Sequence, residues 1–270
     1  MSIFKIQSFQ FWVGLSVLCL IILFISFSSF IIKYDPDVQN NPAENRLKKP
    51  SWKFCFGTDK FGRDVFSRVL YGGRISLLIA VSVVLFSAII GSFYGAISGY
   101  FGGWLDQILM RFVDLLLSFP IIFLAITCMA LFGSGHLMLI IVLTLTSWMD
   151  VARLVRAEVL SLKQRPFILK AKGAGLKTSR IIGRHLMPNV FLTVFTFSII
   201  RMADIILIES ALSFIGIGTQ PPTASWGSMI NDGKSYLPFE WWITFFPGIA
   251  ILCTTMSLNF IGHGLKTLRE

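Results

Sequence analysis

Residues 115–149 read LLLSFPIIFLAITCMALFGSGHLMLIIVLTLTSWM, 35 residues without one charged side chain. A helix needs about 20 apolar residues to cross a hydrocarbon core of about 30 Å, so this run is too long for a single crossing. Gly133-Ser134-Gly135 interrupts it, and glycines so spaced supply a tight turn. The stretch therefore reads as two spans, three and four, joined by a short re-entry, with Pro120 as a kink in the first of them.

Other runs extend the pattern in both directions. No charge lies between Lys5 and Lys33, and Phe11 to Ile32 forms span one. Leu77 to Tyr100 is span two and breaks at Phe101-Gly102-Gly103. Span five follows Pro188 as far as about Gly216, and span six lies between Glu240 and Lys266. With 54% apolar residues, 14% charged residues and a mean hydropathy of +0.73, water is not the only solvent. The runs are continuously apolar, whereas a membrane β-barrel needs short segments of alternating polarity. The expected fold is all-α, a polytopic bundle of about six transmembrane helices. It divides into 1–74, the first helix with an external segment, and 75–270, a five-helix core. The first run lacks a small-x-small cleavage pattern before Lys33 and is read as a retained span, not a secretory signal. Cys19, Cys128 and Cys253 fall inside spans and Cys55 stands alone in a loop, so the cysteines read as small apolar residues.

Charge sets the orientation. Segment 33–74 holds nine Lys/Arg against five acids, and segment 150–188 holds nine against two. With the amino terminus inside, Lys5, Arg111, the nine of 150–188, Lys266 and Arg269 give thirteen cations on the cytoplasmic side against ten outside. The net charge of +10 is explained by basic loops facing anionic lipid and needs no nucleic acid.

Residues 166–188, PFILKAKGAGLKTSRIIGRHLMP, are too polar to cross the membrane and too apolar to be a solvated linker. Their spacing predicts two short helices around a glycine turn, stopped at Pro188. Gly173-Ala174-Gly175-Leu176-Lys177-Thr178 lacks the glycine spacing of a phosphate-binding loop, so no ATP hydrolysis is expected of this chain. Ala171, three residues, Gly175 and then Met187-Pro188 resemble the cytoplasmic signature loop of ABC importer permeases. Further blocks extend the resemblance, in order, along most of the chain: Phe56-Gly57-Thr58-Asp59, Gly62 to Arg68, Met110-Arg111, Ser118-Phe119-Pro120, Ala152 to Arg156, Leu212 to Gly218, Gln220-Pro221-Pro222, Trp226-Gly227 and Asn259 to Gly262. They are similar to the peptide and nickel branch of that family. Two departures stand out. Leu169-Lys170-Ala171 replaces the usual Glu-Ala-Ala, and His263 stands where an acid usually follows Gly262.

The resemblance implies a type I importer permease fold. It also implies a second homologous permease, two ATPase subunits and an external substrate-binding protein, in the cytoplasmic membrane. Phe167, Ala171, Gly175 and Leu176 would then contact the ATPase, with Lys170, Lys172 and Arg180 at the rim and Pro188 shaping the loop's end. Cargo in that branch is dipeptide, oligopeptide, or nickel or its chelates. Short length and the segment from Trp226 to Asp232 lean toward nickel.

Span five carries Arg201, Asp204 and Glu209, and charges at membrane depth pair or face a cavity. Arg201 and Asp204 are one turn apart and can pair. The three are candidates for the pathway wall or for a lock to a neighbouring span. Arg111 and Asp114 repeat the spacing as an anchor for span three. Val65 to Tyr71 reads as a stretch lying along the membrane surface. A self-contained secondary transporter is the other class, with Asp204 and Glu209 as proton carriers. An enzyme would need a catalytic cluster, and His136, His185 and His263 are dispersed. They form neither such a cluster nor a metal site, and no cofactor is expected.

Overall fold

A computed structural model describes residues 2–32, 34–38 and 42–267. Lys33 and Arg269, both used in the charge count, lie outside the described residues, as does the side chain of Lys5. The described residues form helices: α1 Ser2–Ser26, α2 Val65–Phe101, α3 Gly103–Leu117, α4 Ile121–Phe132, α5 His136–Leu162, α6 Pro166–Gly173, α7 Met187–Ile215, α8 Trp226–Gly233 and α9 Trp242–Thr267. Among them, α1, α2, α5, α7 and α9 are each long and apolar enough to cross a membrane. Taken together as one span, the bent pair α3 and α4 brings the number to six. The chain is an all-α, multi-pass membrane protein.

Span two starts well before its apolar run. Asp64 caps the helix, accepting from the Ser67 amide at 2.9 Å and the Ser67 hydroxyl at 2.6 Å. Burial pushes the Asp64 carboxyl up from its ordinary range, against the lowering effect of those bonds. Val65 to Tyr71, expected along the membrane surface, forms the first turns of α2. Val65, Val69 and Leu70 are buried in the core, and the Trp226 indole donates to the Val69 carbonyl at 2.9 Å. A stretch this thoroughly covered by protein has no apolar face left for lipid.

Span three is broken, not kinked. The axis turns by 79° between α3 and α4, and Pro120 stands at the start of α4, outside the helix interior. The 12 residues of α4 rise about 18 Å, short of the hydrocarbon core, so α4 does not cross by itself. Asp114 of α3 pairs with Arg153 of α5, a neighbouring helix, and not with Arg111.

The core is organised by α2 and α5, which run side by side in the same direction. Gly91, Gly95 and Gly99 line the α2 face, and a Cβ added at each would meet the Trp148 carbonyl at 2.6 Å, the Ala152 carbonyl at 2.3 Å and the Arg156 carbonyl at 2.9 Å. Backbones this close require small residues at a spacing of four, the packing device of membrane helices. Outside the pair, α7 lies on α2 and α9, and Gly14 lets α1 approach Phe260 of α9. Overpacking a tight interior costs roughly 1–3 kcal/mol. Gly95→Val is therefore expected to lower the melting temperature of the detergent-purified protein. Gly248→Ala, where an added Cβ meets nothing within 4 Å, should leave it unchanged. Equal melting curves would remove the seam as an organising contact.

Candidate coupling loop and membrane-embedded charges

α5 does not end at the charged Asp150 but continues to Leu162, so Arg153, Arg156 and Glu158 ride on a helix projecting beyond the apolar run. Pro166 opens α6 at its first turn, where a missing N–H is tolerated, and Gly175 reverses the chain at φ +72°. A helical turn, Thr178–Arg180, then leads through a widened π turn, Ile181–Leu186, directly into α7. The loop was expected to stop at Pro188, but Pro188 lies in the first turn of α7 and the helical path runs unbroken from Thr178 to Ile215. A proline near a helix start interrupts no intrahelical bond.

Ile168 and Ala171 of α6 turn inward and share one buried cluster with Val155 and Val159 of α5, with Ile181 and Leu186, and with Val190 of α7. Leu176 packs half-buried against the same cluster. Phe167, Lys170, Lys172, Gly175 and Arg180 are exposed, as is Leu169, which the spacing argument missed. Hence α6 has an inner face fused to the ends of two long helices and an outer face of apolar and cationic groups. The inner face joins α6 to the ends of α5 and α7 through one buried apolar cluster.

Further polar contacts brace the same end. Arg156 holds Asp106 of α3 through two bonds, at 2.5 and 2.6 Å, and the Ser98 hydroxyl also donates to Asp106. Lys163 donates to the Gly99 carbonyl at 2.9 Å. The Arg156 contact is a bidentate guanidinium–carboxylate pair, the strong form of an ion pair. His263, in the position that departs from the usual acid, is exposed, with Nδ1 at 2.9 Å from the Asn259 carbonyl.

In α7, Arg201 pairs with Asp204 at 3.4 Å, as its spacing predicts, and it also pairs with Asp150 of α5. Asp150 was missed because it stands at the edge of an apolar run, where a surface position is the ordinary reading. The Arg201 side chain is 31% exposed and that of Asp204 47%. One guanidinium stands against two carboxylates, and all three side chains are partly exposed. Glu209 is placed differently. It is fully buried, accepting from Ser213 at 2.7 Å, Ser76 of α2 at 3.2 Å and Ser210 at 3.5 Å. The Ser76 oxygen also accepts from the Trp226 amide at the start of α8. Glu209 thus ties α2, α7 and α8 together. Ser210 and Ser213 are its neighbours in sequence, but Ser76, 133 residues away, gave no local signal.

At the face opposite α6, the loop at 57–64 and the loop at 216–241 are bolted together. Lys60 and Arg63 reach Asp232 at 2.8 and 3.8 Å, Arg63 also pairs within its own loop with Asp59 at 2.6 Å, and the Trp242 indole donates to the Thr58 carbonyl at 3.2 Å. A cleft of about 170 Å³ lies between the loops, with Arg68, Gln220 and Asn231 in its wall. Leaving a buried hydroxyl without its partner costs roughly 1–3 kcal/mol, and Glu209 satisfies several. Glu209→Leu is therefore expected to lower thermal stability by about that much. Glu209→Gln, which keeps an acceptor oxygen, should lose less. Equal losses would show that the serine contacts contribute nothing.

The description "Binding-protein-dependent transport system inner membrane component" matches residues 87–269 of the chain. The chain is 38% identical over 254 residues to the oligopeptide transport system permease protein OppC of Haemophilus influenzae, covering 94% of this chain and 81% of that protein. It is 37% identical over 254 residues to OppC of Bacillus subtilis, covering 94% and 83%. It is 41% identical over 230 residues to the dipeptide transport system permease protein DppC of Bacillus subtilis, covering 85% and 72%. Family membership displaces the reading as a self-contained secondary transporter. The chain belongs to the inner membrane components of binding-protein-dependent transport systems, the ABC importer permeases, and is a non-catalytic permease subunit.

Proposed function

We propose that this chain forms one half of a peptide-conducting channel in the cytoplasmic membrane, with its amino terminus inside. It would work with a second, homologous permease, two ATPase subunits and an external binding protein. The observation that carries the reading is the two-faced α6, fused inwardly to α5 and α7 and presenting Phe167, Lys170, Lys172 and Arg180 outward. That surface suits a cleft with an apolar floor and an acidic rim on an ATPase, with Gly175 shaping its end and Pro188 set back in the first turn of α7. Ala171 contributes from beneath by seating α6, and Leu176 by holding the turn. The missing acid at Leu169 makes this docking face apolar and cationic alone.

Peptide cargo is supported by the names of the relatives, which are oligopeptide and dipeptide permeases, over the lean toward nickel. Arg201 and Asp204 would face the path, with Asp150 behind them and Glu209 as the brace that keeps α7 in register. The bolted loops at the opposite face would receive the binding protein. ATP-driven closure of the ATPases would move α6, and through the shared apolar cluster tilt α5 and α7 against α2.

Affinity purification of this chain is expected to bring down the ATPases, whose hydrolysis rises when loaded binding protein is added. Gly175→Val forces a branched side chain into a left-handed conformation at a strain of about 1–2 kcal/mol. It should preserve co-purification of the two permeases but lose stimulated hydrolysis and uptake. Gly175→Asn should lose less. Unchanged uptake in Gly175→Val, or a stable and active assembly without any ATPase, would overturn the reading. For orientation, the exposed Cys55 is expected to react with a membrane-impermeant maleimide in right-side-out vesicles, whereas a cysteine at Lys170→Cys should react only in inverted ones. The reverse pattern would invert the topology.

A further inference from the structure

Residues 46–53, RLKKPSWK, hold four cations and no acid on the face opposite α6. With the amino terminus inside, that face is external, where an excess of Lys and Arg opposes the usual charge bias of membrane insertion. Such a cluster needs a use that outweighs the bias.

The segment is held rigidly. Thr58 and Lys48 close its base with two bonds, Thr58 N–H to the Lys48 carbonyl at 2.9 Å and Lys48 N–H to the Thr58 hydroxyl at 2.8 Å. Phe54 is buried beside Tyr34, with ring centroids 5.3 Å apart, and its carbonyl accepts from Ser51 at 2.8 Å. On this frame the tip presents Lys49, Lys53 and a fully exposed Trp52. An indole that no part of the protein covers, on an ordered loop, is an unmet apolar surface, and between two lysines it matches the Trp and Lys pairing of membrane interfaces.

The position of the loop favours lipid over a protein partner. Its base is bonded to Trp242, the first residue of α9. The 26 residues of α9 rise about 39 Å, more than the hydrocarbon core, so its ends lie in the headgroup layers. Exposed Phe239, Trp241 and Phe245 mark that layer beside Trp242. The wide bowl between the loops is lined by Pro42, Arg46, Lys60, Phe61 and Tyr236 and includes none of residues 48–55.

We propose that the 48–54 loop is a lipid anchor, with Trp52 inserted at the interface and Lys49 and Lys53 bound to anionic phospholipid headgroups. The proposal goes beyond the transport reading and rests only on its orientation, which Cys55 labelling tests separately. The test uses the importer assembly, purified with its ATPases, in nanodiscs of phosphatidylcholine with or without phosphatidylglycerol. Amine-ester labelling at each lysine is read by mass spectrometry. A lysine at an anionic surface gains about fivefold in association, roughly thirtyfold for the pair, and salt screens the gain. Labelling of Lys49 and Lys53 should slow severalfold when phosphatidylglycerol is present, recover in high salt and recover in Trp52→Ser. Lys234, exposed on the same face, should not change. Equal labelling in both lipids would overturn the proposal. Protection appearing only when binding protein is added to phosphatidylcholine discs would overturn it in favour of a protein contact.

Discussion

The close approach of α2 to α5 governs most of what the rest of the chain can do. Three glycines spaced by four bring the two backbones together at the carbonyls of Trp148, Ala152 and Arg156. In a bilayer, apolar side chains gain little by leaving lipid for one another, so dispersion between close surfaces and internal polar bonds must hold helices together. The seam supplies the first and positions the second. At its end near α6, Gly99 offers its carbonyl to Lys163, and Arg156 turns from the seam to clamp Asp106. These contacts fix the projecting end of α5, on which α6 is seated.

Two kinds of polar group are embedded in this frame, and they do different work. Glu209 is buried and surrounded by hydroxyl donors, so it behaves as a joint among α2, α7 and α8. Asp150, Arg201 and Asp204 are partly open, and their charges do not cancel. A net charge facing hydrocarbon would be costly. Burial and charge balance, more than residue type, separate the two roles. The loop of α6 shows the same division within eight residues, with Ile168 and Ala171 joined to the protein and Phe167 and Lys170 left outward.

The sequence by itself determined that the chain is helical, crosses the membrane about six times and carries a motif-bearing loop between its fourth and fifth spans. These properties are written in runs of neighbouring residues, because crossing length and motif spacing are local quantities. The Arg201 and Asp204 pair was legible for the same reason, one turn being a local distance. Tertiary structure alone decided the rest. It showed that α2 begins at Val65 beneath a protein cover, that Ser118-Phe119-Pro120 bends the chain by 79° instead of kinking a span, and that Pro188 starts a helix instead of ending a loop. It also joined Asp150 to Arg201 and Ser76 to Glu209, pairs 51 and 133 residues apart. The glycines of the seam became meaningful only in the fold, because a spacing of four does not name the surface it meets. Which groups are buried, paired or left open depends on neighbours supplied by distant segments, and no single stretch of chain contains that information.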